Sequence, residues 1–428
     1  LYSGFIEYKI LSSLNSLVKS STIYIIVQKF AGGYTISDCS QLGCLKDQRS
    51  SDYASRYRFL HSPTDSKYVR IAKVISVGIQ KEAEMSILSL TTGGKNLDHA
   101  LLSPNDFIKS LSSEQAHNLV KAEGLYTKAL ISDPLNIRAV NNQKRMSSIV
   151  KEIDQQRYRK IDSKVARFYL VPDSDPGLKK VKVEHYFLHI YHSNAIEGNT
   201  LSLAQTRSLL ETRLALGGKS LQEQNEVLGL DAAFKYLNNT LLTGTLTRIS
   251  LGDILELHRR VLSFVDISEA GRLRKTQVFV GDHTPPPASM LPELMEELID
   301  WVNSEEALAL HPIELAALTH WKLVYIHPFY DGNGRTSRLV MNLILMRAGY
   351  PPAIVRKEDR SKYYEYLKSA NEGDVRPFIR FIGVFVSAAN RPIATQVGSL
   401  MPYTALPLHF PWLPHEQSSG RSHVIYSN

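Results

Sequence analysis

The chain is 428 residues long, with 43% hydrophobic residues, 21% charged residues and a formal net charge of +8. This length allows two or three domains, and the composition is typical of a globular protein. The modest positive charge would help attract anionic ligands, but it forms no basic stripe, so we predict no nucleic-acid partner. The only two cysteines, Cys39 and Cys44, exclude a disulfide framework and a cysteine-based zinc site.

Residues 1–80 show no clean hydrophobic period, and the sequence assigns them no function. Their longest apolar run, residues 23–27, is far too short to cross a bilayer. A membrane span needs about 20 apolar residues, and no such run occurs anywhere in the chain.

Residues 81–148 have helical spacing. Small residues such as Ala122, Ala129 and Ala139 flank an Asp133-Pro134 turn, a pattern that resembles tetratricopeptide repeats. Such repeats bind partners, and plain helical packing is an equally good interpretation. Residues 149–178 are rich in charge and predict a solvated linker helix.

A carboxylate follows the next predicted helix. Glu197-Gly198-Asn199 is typical of a helix end, because Gly and Asn tolerate left-handed geometry. The helix dipole disfavours a carboxylate there unless a cation pairs with it. Further on, residues 270–287 are β-prone and end in a proline-rich loop, which predicts a hairpin in an otherwise helical region.

Two apolar helices flank the most informative segment. Leu315, Leu318, Trp321 and Tyr325 share one helical stripe before it. The segment itself reads Ile326-His327-Pro328-Phe329-Tyr330-Asp331-Gly332-Asn333-Gly334-Arg335-Thr336-Ser337-Arg338. Pro328 should end the first helix at His327, and the second helix should begin near Gly334.

The residue types in this segment suit phosphoryl or nucleotidyl transfer. The free N–H groups at the second helix's start would bind a phosphate. Arg335 and Arg338 lie three apart and share a helix face. Asp331 is an oxygen ligand suited to Mg²⁺, with Mn²⁺ as an alternative. His327 can accept a proton near neutral pH.

The segment matches every fixed position of the motif His-Pro-Phe-x-Asp-Gly-Asn-Gly-Arg-x-x-Arg, and residues 116–386 resemble Fic-domain proteins of the animal endoplasmic reticulum. The resemblance implies an all-α helical bundle over 179–386 with a small β-hairpin flap, preceded by the repeat region and linker helix. Residues 387–428 would be an irregular tail. It further implies a protein adenylyltransferase that transfers AMP from ATP to hydroxyl groups and can also remove AMP.

The resemblance assigns roles to individual residues. His327 would be the catalytic base, and Asp331 would hold the metal. Gly332, Asn333, Gly334, Arg335 and Arg338 would hold the phosphates. Val280 on the flap, Tyr364 and Asn371 would lie near the rest of the nucleotide.

The family's inhibitory motif, Ser/Thr-x-x-x-Glu-Gly/Asn, is matched by Ser193, Glu197 and Gly198. The resemblance implies a bidentate pair between Glu197 and Arg338 that prevents productive ATP binding. In the reverse reaction Glu197 would position a water molecule. Leu221 falls where relatives place a dimer-interface leucine, so we expect a homodimer; ordinary core packing is the alternative.

The implied protein substrate is an Hsp70-type chaperone like the lumenal BiP, in the context of the unfolded protein response. The implied location is the endoplasmic reticulum lumen, in a single-pass membrane protein, although this chain shows no anchor. Two alternatives remain: transfer of another nucleotidyl or phosphocholine group, and a chaperone-docking repeat scaffold with vestigial chemistry.

Overall fold

The computed structural model describes residues 25–30, 33–38, 76–85, 112–243 and 248–389. Its helices are α1 (Ser113–Ser132), α2 (Ile137–Phe168), α3 (Pro176–Ile196), α4 (Leu203–Thr212), α5 (Leu221–Tyr236), α6 (Leu251–Val261), α7 (Leu291–Val302), α8 (Glu305–Leu308), α9 (Pro312–Ile326), α10 (Asn333–Arg347), α11 (Arg360–Asn371) and α12 (Arg376–Ala389). Residues 76–85 are also helical. A π-helical turn (Leu237–Leu241) and two 3-10 turns (Ala288–Met290, Lys357–Asp359) complete the helical structure. The predicted all-α class is confirmed.

One hairpin lies in the region to which the sequence assigned no element. Strands β1 (Ile25–Phe30) and β2 (Gly33–Asp38) pair antiparallel, with Ile25 opposite Asp38 and Phe30 opposite Gly33. The predicted irregular tail, residues 387–428, starts too early, because residues 387–389 still belong to α12. The rest of that tail, Cys39 and Cys44 lie outside the described residues. Within the described part of the chain, no helix has the length and apolar character that a bilayer span requires.

The chain divides into two compact units. One contains residues up to Arg159 together with Glu365–Phe378, and the other contains Lys160–Tyr364 and the residues from Ile379. The division at Arg159 falls inside the predicted linker, 149–178. Because α2 continues unbroken through residue 149, no helix end marks the predicted start of that linker. The other predicted domain limits stay predictions.

In the first unit, α1 and α2 form the predicted helical pair. Ser112 and Gln115 cap α1 reciprocally, and the Asp133-Pro134 turn follows it. The three small residues that suggested close helix packing, Ala122, Ala129 and Ala139, are fully buried. Tyr126 and Met146 complete the same core, so the predicted helix–turn–helix is present. Its assignment to tetratricopeptide repeats stays a prediction.

In the second unit, α9 is buried on nearly all sides. Its four predicted stripe residues, Leu315, Leu318, Trp321 and Tyr325, are all buried. Helix α9 packs against α10 on one side and α7 on another. A helix that is apolar around its whole circumference belongs in the middle of a bundle. Because α9 lies at the centre and packs against α10, the two helices that flank the motif loop are fixed relative to each other.

The predicted hairpin over 270–287 is much less regular than expected. Among the described residues there, only Val280 and His283 pair as strand residues, around a turn in which Gly281 has φ +54°. Pro285, Pro286 and Pro287 have no N–H to donate, so a ladder cannot extend along this arm. We use the name flap for residues 274–287.

Helix α5 crosses α6 at a point where only glycine fits. A β-carbon on Gly229 would overlap the carbonyl oxygen of Val261 and would lie 3.0 Å from that of Arg260. Backbone carbonyls of a packed helix cannot move aside cheaply. The contact holds α6, which also packs against α10, in place.

We expect Gly229→Ala to lower the free energy of unfolding by about 1–3 kcal/mol, the usual cost of overpacking. Gly217→Ala is the matched control, because a β-carbon there meets nothing within 4 Å. The control should change stability by about 0.4–1 kcal/mol at most, in the stabilising direction. Urea unfolding of both variants measures this, and equal stabilities would contradict the close crossing.

Candidate active site

His327 ends α9 in a strained conformation. Its φ of +50° and ψ of 60° are left-handed, and Arg213 is the only other described non-glycine residue with positive φ. Its N–H donates to the carbonyl of Leu323 over 3.0 Å, which closes the helix. Pro328 disfavours a further helical turn, so the predicted stop is confirmed. Such strain costs about 1–3 kcal/mol and persists where the surroundings fix the residue.

The His327 ring is oriented for proton transfer. Its Nδ1 lies 3.2 Å from the carbonyl oxygen of Val324, so Nδ1 carries the hydrogen and Nε2 the lone pair. The pKa of His327 is lowered to about 4, mainly by burial, with smaller lowering effects from His283 and Arg274. The bond to Val324 and the charge of Glu197 act in the opposite direction. The imidazole is therefore neutral at pH 7 and can accept a proton.

The loop after His327 is closed by its own side chains. The amide of Asn333 accepts from the N–H of Phe329 over 3.0 Å and donates to the Phe329 carbonyl over 2.9 Å. The Asn333 side chain therefore braces the loop, and its backbone N–H at the start of α10 points to no helical partner. The predicted contact of Asn333 with a phosphate stays a prediction. Gly332, with φ +74°, forms the N-cap of α10.

His258 on α6 supports the same loop, and sequence reasoning missed it. Its ring stacks on Phe329 with centroids 3.6 Å apart. Its Nδ1 accepts from the N–H of Gly271, so Nε2 carries the hydrogen and donates to the Asp331 carbonyl over 3.0 Å. A β-carbon on Gly332 would lie 3.2 Å from this ring. Nothing in the spacing of α6 distinguished His258 from a core histidine.

The start of α10 presents free hydrogen-bond donors, the feature that an anion site needs. Its first intrahelical donor is the N–H of Thr336, which bonds to Gly332, so the N–H groups of residues 333–335 have no helical partner. Arg335 is buried, and its Nη2 donates to Asp331 over 2.8 Å. Within the described structure its Nε and Nη1 have no hydrogen-bond partner. Buried guanidinium hydrogens without partners fit a phosphate.

Asp331 presents a carboxylate beside this anion site. Its side chain is 62% exposed, and one oxygen accepts from Arg335. Among the described residues there is no cluster of three or more His, Cys, Asp or Glu side chains that could hold a metal. One exposed carboxylate next to a phosphate site nevertheless fits Mg²⁺, which keeps several waters and takes its remaining ligands from phosphates.

Arg338 is held by one turn of α3. Its Nε donates to Ser193 Oγ and its Nη2 to the Ser193 carbonyl, each over 2.8 Å. The same Nη2 also donates to Glu197 Oε1 over 2.6 Å. The predicted pairing is therefore present, but it is not bidentate, because Ser193 takes the other edge of the guanidinium. Burial alone would lower the pKa of Arg338, and Glu197 reverses this and raises it.

Glu197 caps α3 and its carboxylate covers the start of α10. The next residue, Gly198, has φ +106°, which confirms the left-handed helix end. A β-carbon on Gly334 would overlap Glu197 Oε1 and would lie 3.1 Å from Arg338 Nη1. A carboxylate thus occupies the space beside the first turn of α10, where its positive dipole end favours an anion.

Tyr363, which the sequence did not single out as a site residue, supports Arg338 from the other side. Its hydroxyl accepts from Arg338 Nη1 over 3.3 Å and lies 3.1 Å from His320 Nε2. Both Tyr363 and His320 are buried. The tyrosine-rich sequence of α11 could have pointed to Tyr363 as a site residue. Tyrosines in such a helix more often belong to the core, so the sequence offered no reason to choose it.

The remaining predicted residues differ in placement. Tyr364 is 38% exposed, and the Arg360 guanidinium lies 4.9 Å from its ring centroid. Val280 is exposed at the flap turn. Asn371 is the last residue of α11 and belongs to the first unit. Leu221, the first residue of α5, is 70% exposed, which contradicts the core-packing alternative.

Comparison with known proteins places this site in a family. The profile of the Fic/DOC family matches residues 248–345. A relative from Nematostella vectensis named "Protein adenylyltransferase Fic" is 54% identical over 268 residues, covering 63% of this chain and 62% of the relative. One of the same name from Aedes aegypti is 51% identical over 290 residues, covering 66% of this chain and 58% of the relative. The chain thus spans about three fifths of the length of these relatives.

Two solved structures of Fic-1 from C. elegans are also similar. One is 42% identical with a TM-score of 0.60 and covers 70% of this chain and 91% of that one. The other is 39% identical with a TM-score of 0.62 and covers 77% of this chain and 98% of that one. Since the matched region contains the complete motif loop between α9 and α10, the chain belongs to the Fic/DOC family.

Proposed function

We propose that this chain is a protein adenylyltransferase that transfers AMP from ATP to a hydroxyl group of another protein. The observation that carries the proposal is the start of α10. There, free helical N–H groups and the partnerless N–H groups of buried Arg335 lie six to eight residues after a neutral histidine. The names of the Nematostella and Aedes relatives support ATP as the donor.

The chemistry requires one proton transfer and one displacement. Nε2 of His327 takes the proton of the acceptor hydroxyl, whose oxygen forms a bond to the α-phosphorus. The bond between that phosphorus and the oxygen bridging to the β-phosphate breaks, and pyrophosphate leaves. Arg335 and the N–H groups of α10 stabilise the charge on the phosphates. When bound at Asp331, Mg²⁺ supplies further charge neutralisation.

The flap would hold the acceptor segment. Among the described residues, the backbone N–H groups of Gln277, Val278 and Phe279 have no hydrogen-bond partner. Phe279 is also 74% exposed. Unpaired backbone donors beside an apolar side chain suit an extended peptide that adds as a strand. This mode could place a Ser or Thr hydroxyl beside His327.

Glu197 would inhibit the reaction. Its carboxylate is bonded to Arg338, which is proposed to orient the terminal phosphate, and it lies against Gly334 at the anion site. The Glu197 carboxylate would repel a nucleotide phosphate that enters this position. Removal of Glu197 would both free Arg338 and clear the space.

The same carboxylate would serve the reverse reaction. In that mode Glu197 would position a water molecule for attack on the AMP–protein phosphodiester, and His327 would protonate the leaving hydroxyl. The proposed substrate of both reactions is an Hsp70-type chaperone in the endoplasmic reticulum lumen. The motif-based resemblance to Fic-domain proteins of the animal endoplasmic reticulum motivates this choice.

A homodimer at Leu221 would set how firmly Glu197 is held. The exposed Leu221 begins α5, and Glu223 in the same turn accepts from both the N–H and the hydroxyl of Thr200, over 2.8 and 2.6 Å. Asn199 also donates to the Glu223 carbonyl over 2.9 Å. These bonds connect the start of α5 to the chain that follows Glu197.

The first prediction concerns labelling from ATP that carries a radioactive α-phosphate. Glu197→Gly should label an Hsp70-type chaperone at least about 10-fold faster than wild type, since loss of a charged bond of about 1.5–3 kcal/mol frees Arg338. Glu197→Gly combined with His327→Ala should label nothing. Adding wild type to labelled chaperone tests removal of AMP. If Glu197→Gly labels neither the chaperone nor itself, ATP is not the donor.

The second prediction is the pH dependence of labelling by Glu197→Gly. Because the folded-state pKa of His327 is lowered to about 4, the base is already deprotonated well below pH 6.5. The rate constant kcat/KM should stay level as pH falls from 8 to about 5 and drop only as it approaches the folded pKa. A half-maximal point near the ordinary histidine pKa would contradict the burial of His327.

The third prediction concerns association. Leu221→Asp should shift the protein toward monomer, because a charge replaces an exposed apolar contact. Leu308→Asp on α8 is the control, with a side chain 64% exposed in a different helix. Sedimentation velocity at several concentrations measures both variants. If Leu221→Asp and Leu308→Asp associate to the same extent, Leu221 is not part of the dimer interface.

A further inference from the structure

Arg274 is a buried arginine at the base of the flap. It is 2% exposed, and its backbone N–H donates to the Pro328 carbonyl over 2.9 Å. Its Nε donates to the carbonyl of His327 over 2.7 Å. Its Nη1 and Nη2 donate to the carbonyls of Thr276 and Pro286 over 2.8 and 2.6 Å. One guanidinium thus joins both arms of the flap to the carbonyl of the catalytic histidine.

Side-chain hydrogen bonds in the flap replace the backbone hydrogen bonds that would join the two arms of a regular hairpin. The prolines of the second arm cannot donate, but their carbonyls still need donors. Arg274 supplies one at Pro286, and Gln277 Nε2 supplies another at Pro285 over 2.8 Å. The flap therefore takes its shape from side chains anchored on the motif loop.

Tyr330 makes a second attachment from outside. It occupies the variable position of the motif, between Phe329 and Asp331. Its hydroxyl accepts from the Lys275 N–H over 3.3 Å and lies 3.0 Å from Thr276 Oγ1. Arg274 and Tyr330 thus hold the same flap segment from its buried and its exposed side.

We propose that Arg274 and Tyr330 are positioning residues that fix the flap, and with it the acceptor hydroxyl, relative to Nε2 of His327. The proposal rests on the proposed transfer to a flap-bound segment. Both residues act through the backbone of the flap and the loop, not by touching the nucleotide. A displacement of about 1 Å between reacting groups can cost about 10²-fold in rate, so this anchoring matters for catalysis.

Electrostatics gives Arg274 a second effect on the same histidine. The charged groups that act on His327 are Arg274 and His283 from the flap, which lower its pKa, and Glu197 from α3, which raises it. Removing the charge at position 274 should therefore shift the acidic limb of the rate profile toward higher pH. Because burial is the larger cause of the lowered pKa, loosening of the flap would also move that limb, so the charge is read from the difference between a charged and a neutral substitution at position 274.

The test uses the full chain with Glu197→Gly as the background. Tyr330→Phe removes only the hydroxyl, and with it the contacts to Lys275 and Thr276, and should raise KM for the acceptor protein about 3- to 10-fold with ATP affinity unchanged. Thr276→Val loses only the second of these contacts and should have an equal or smaller effect, and the double variant should be no worse than Tyr330→Phe alone. Thr284→Val is the control: this exposed flap threonine makes no side-chain hydrogen bond among the described residues, and KM should not change.

Arg274→Lys and Arg274→Met separate geometry from charge. Both should increase amide hydrogen exchange across residues 275–283 and lower kcat/KM for the acceptor. Only Arg274→Met should move the acidic midpoint of the rate profile upward, because lysine keeps the positive charge. Circular dichroism and thermal unfolding would establish that each variant is folded.

The results distinguish this proposal from the proposed function. Hydrogen exchange and ATP affinity do not depend on transfer, so faster exchange in Tyr330→Phe supports the anchoring even if no label is transferred. If label is transferred but Tyr330→Phe and Arg274→Lys both keep wild-type KM, kcat and flap exchange, the positioning role is wrong. Additive effects of Tyr330→Phe and Thr276→Val would likewise overturn the shared contact.

Discussion

The bond between Arg338 and one turn of α3 is the interaction on which the rest of this site depends. A buried guanidinium needs acceptors on every side, and Ser193, Glu197 and Tyr363 supply them from two other helices. This network ties α3 and α11 to α10 at the point where α10 presents its free N–H groups. The same arginine is the one proposed to orient the nucleotide, so the arrangement that stabilises the folded site is also the one that would keep it inactive. Stability and the proposed inhibition would share a single contact.

The motif loop is held in a strained form by parts that are not themselves reactive. His327 adopts left-handed geometry, and Gly332 does so at the next helix start. Asn333 bonds both backbone groups of Phe329, and His258 stacks on the Phe329 ring while bonding to Asp331. Because these supports are buried, they favour this loop conformation in the absence of a ligand. Preorganised donors of this kind can stabilise developing charge without reorganising during the reaction.

The flap shows how a chain without ladder donors can still have a defined shape. Its proline arm cannot pair as a strand, and Arg274 and Gln277 bond to its carbonyls instead. The first arm of the flap keeps the unpaired backbone N–H groups of Gln277, Val278 and Phe279. A regular hairpin would also leave some N–H groups unpaired along the outer edge of each strand. Anchoring through the carbonyl of His327 ties the shape of the acceptor site to the catalytic residue.

The sequence alone predicted the two helices around the motif, their junction at His327 and the free N–H groups at the start of α10. The pairing of the Ser193–Glu197 motif with Arg338 followed from the resemblance to the Fic family. These features are local or motif-encoded: helical stripes, a proline stop, glycine turns and a one-turn spacing between Ser193 and Glu197. Tertiary structure alone decided the loop-bracing role of Asn333, the stacking of His258, the support of Arg338 by Tyr363, the monodentate form of the Glu197 bond and the side-chain anchoring of the flap. The Asn333 bonds span only four residues but depend on the exact path of the loop. The other contacts depend on which groups from distant segments meet in space, and spacing along the chain carries no signal for them.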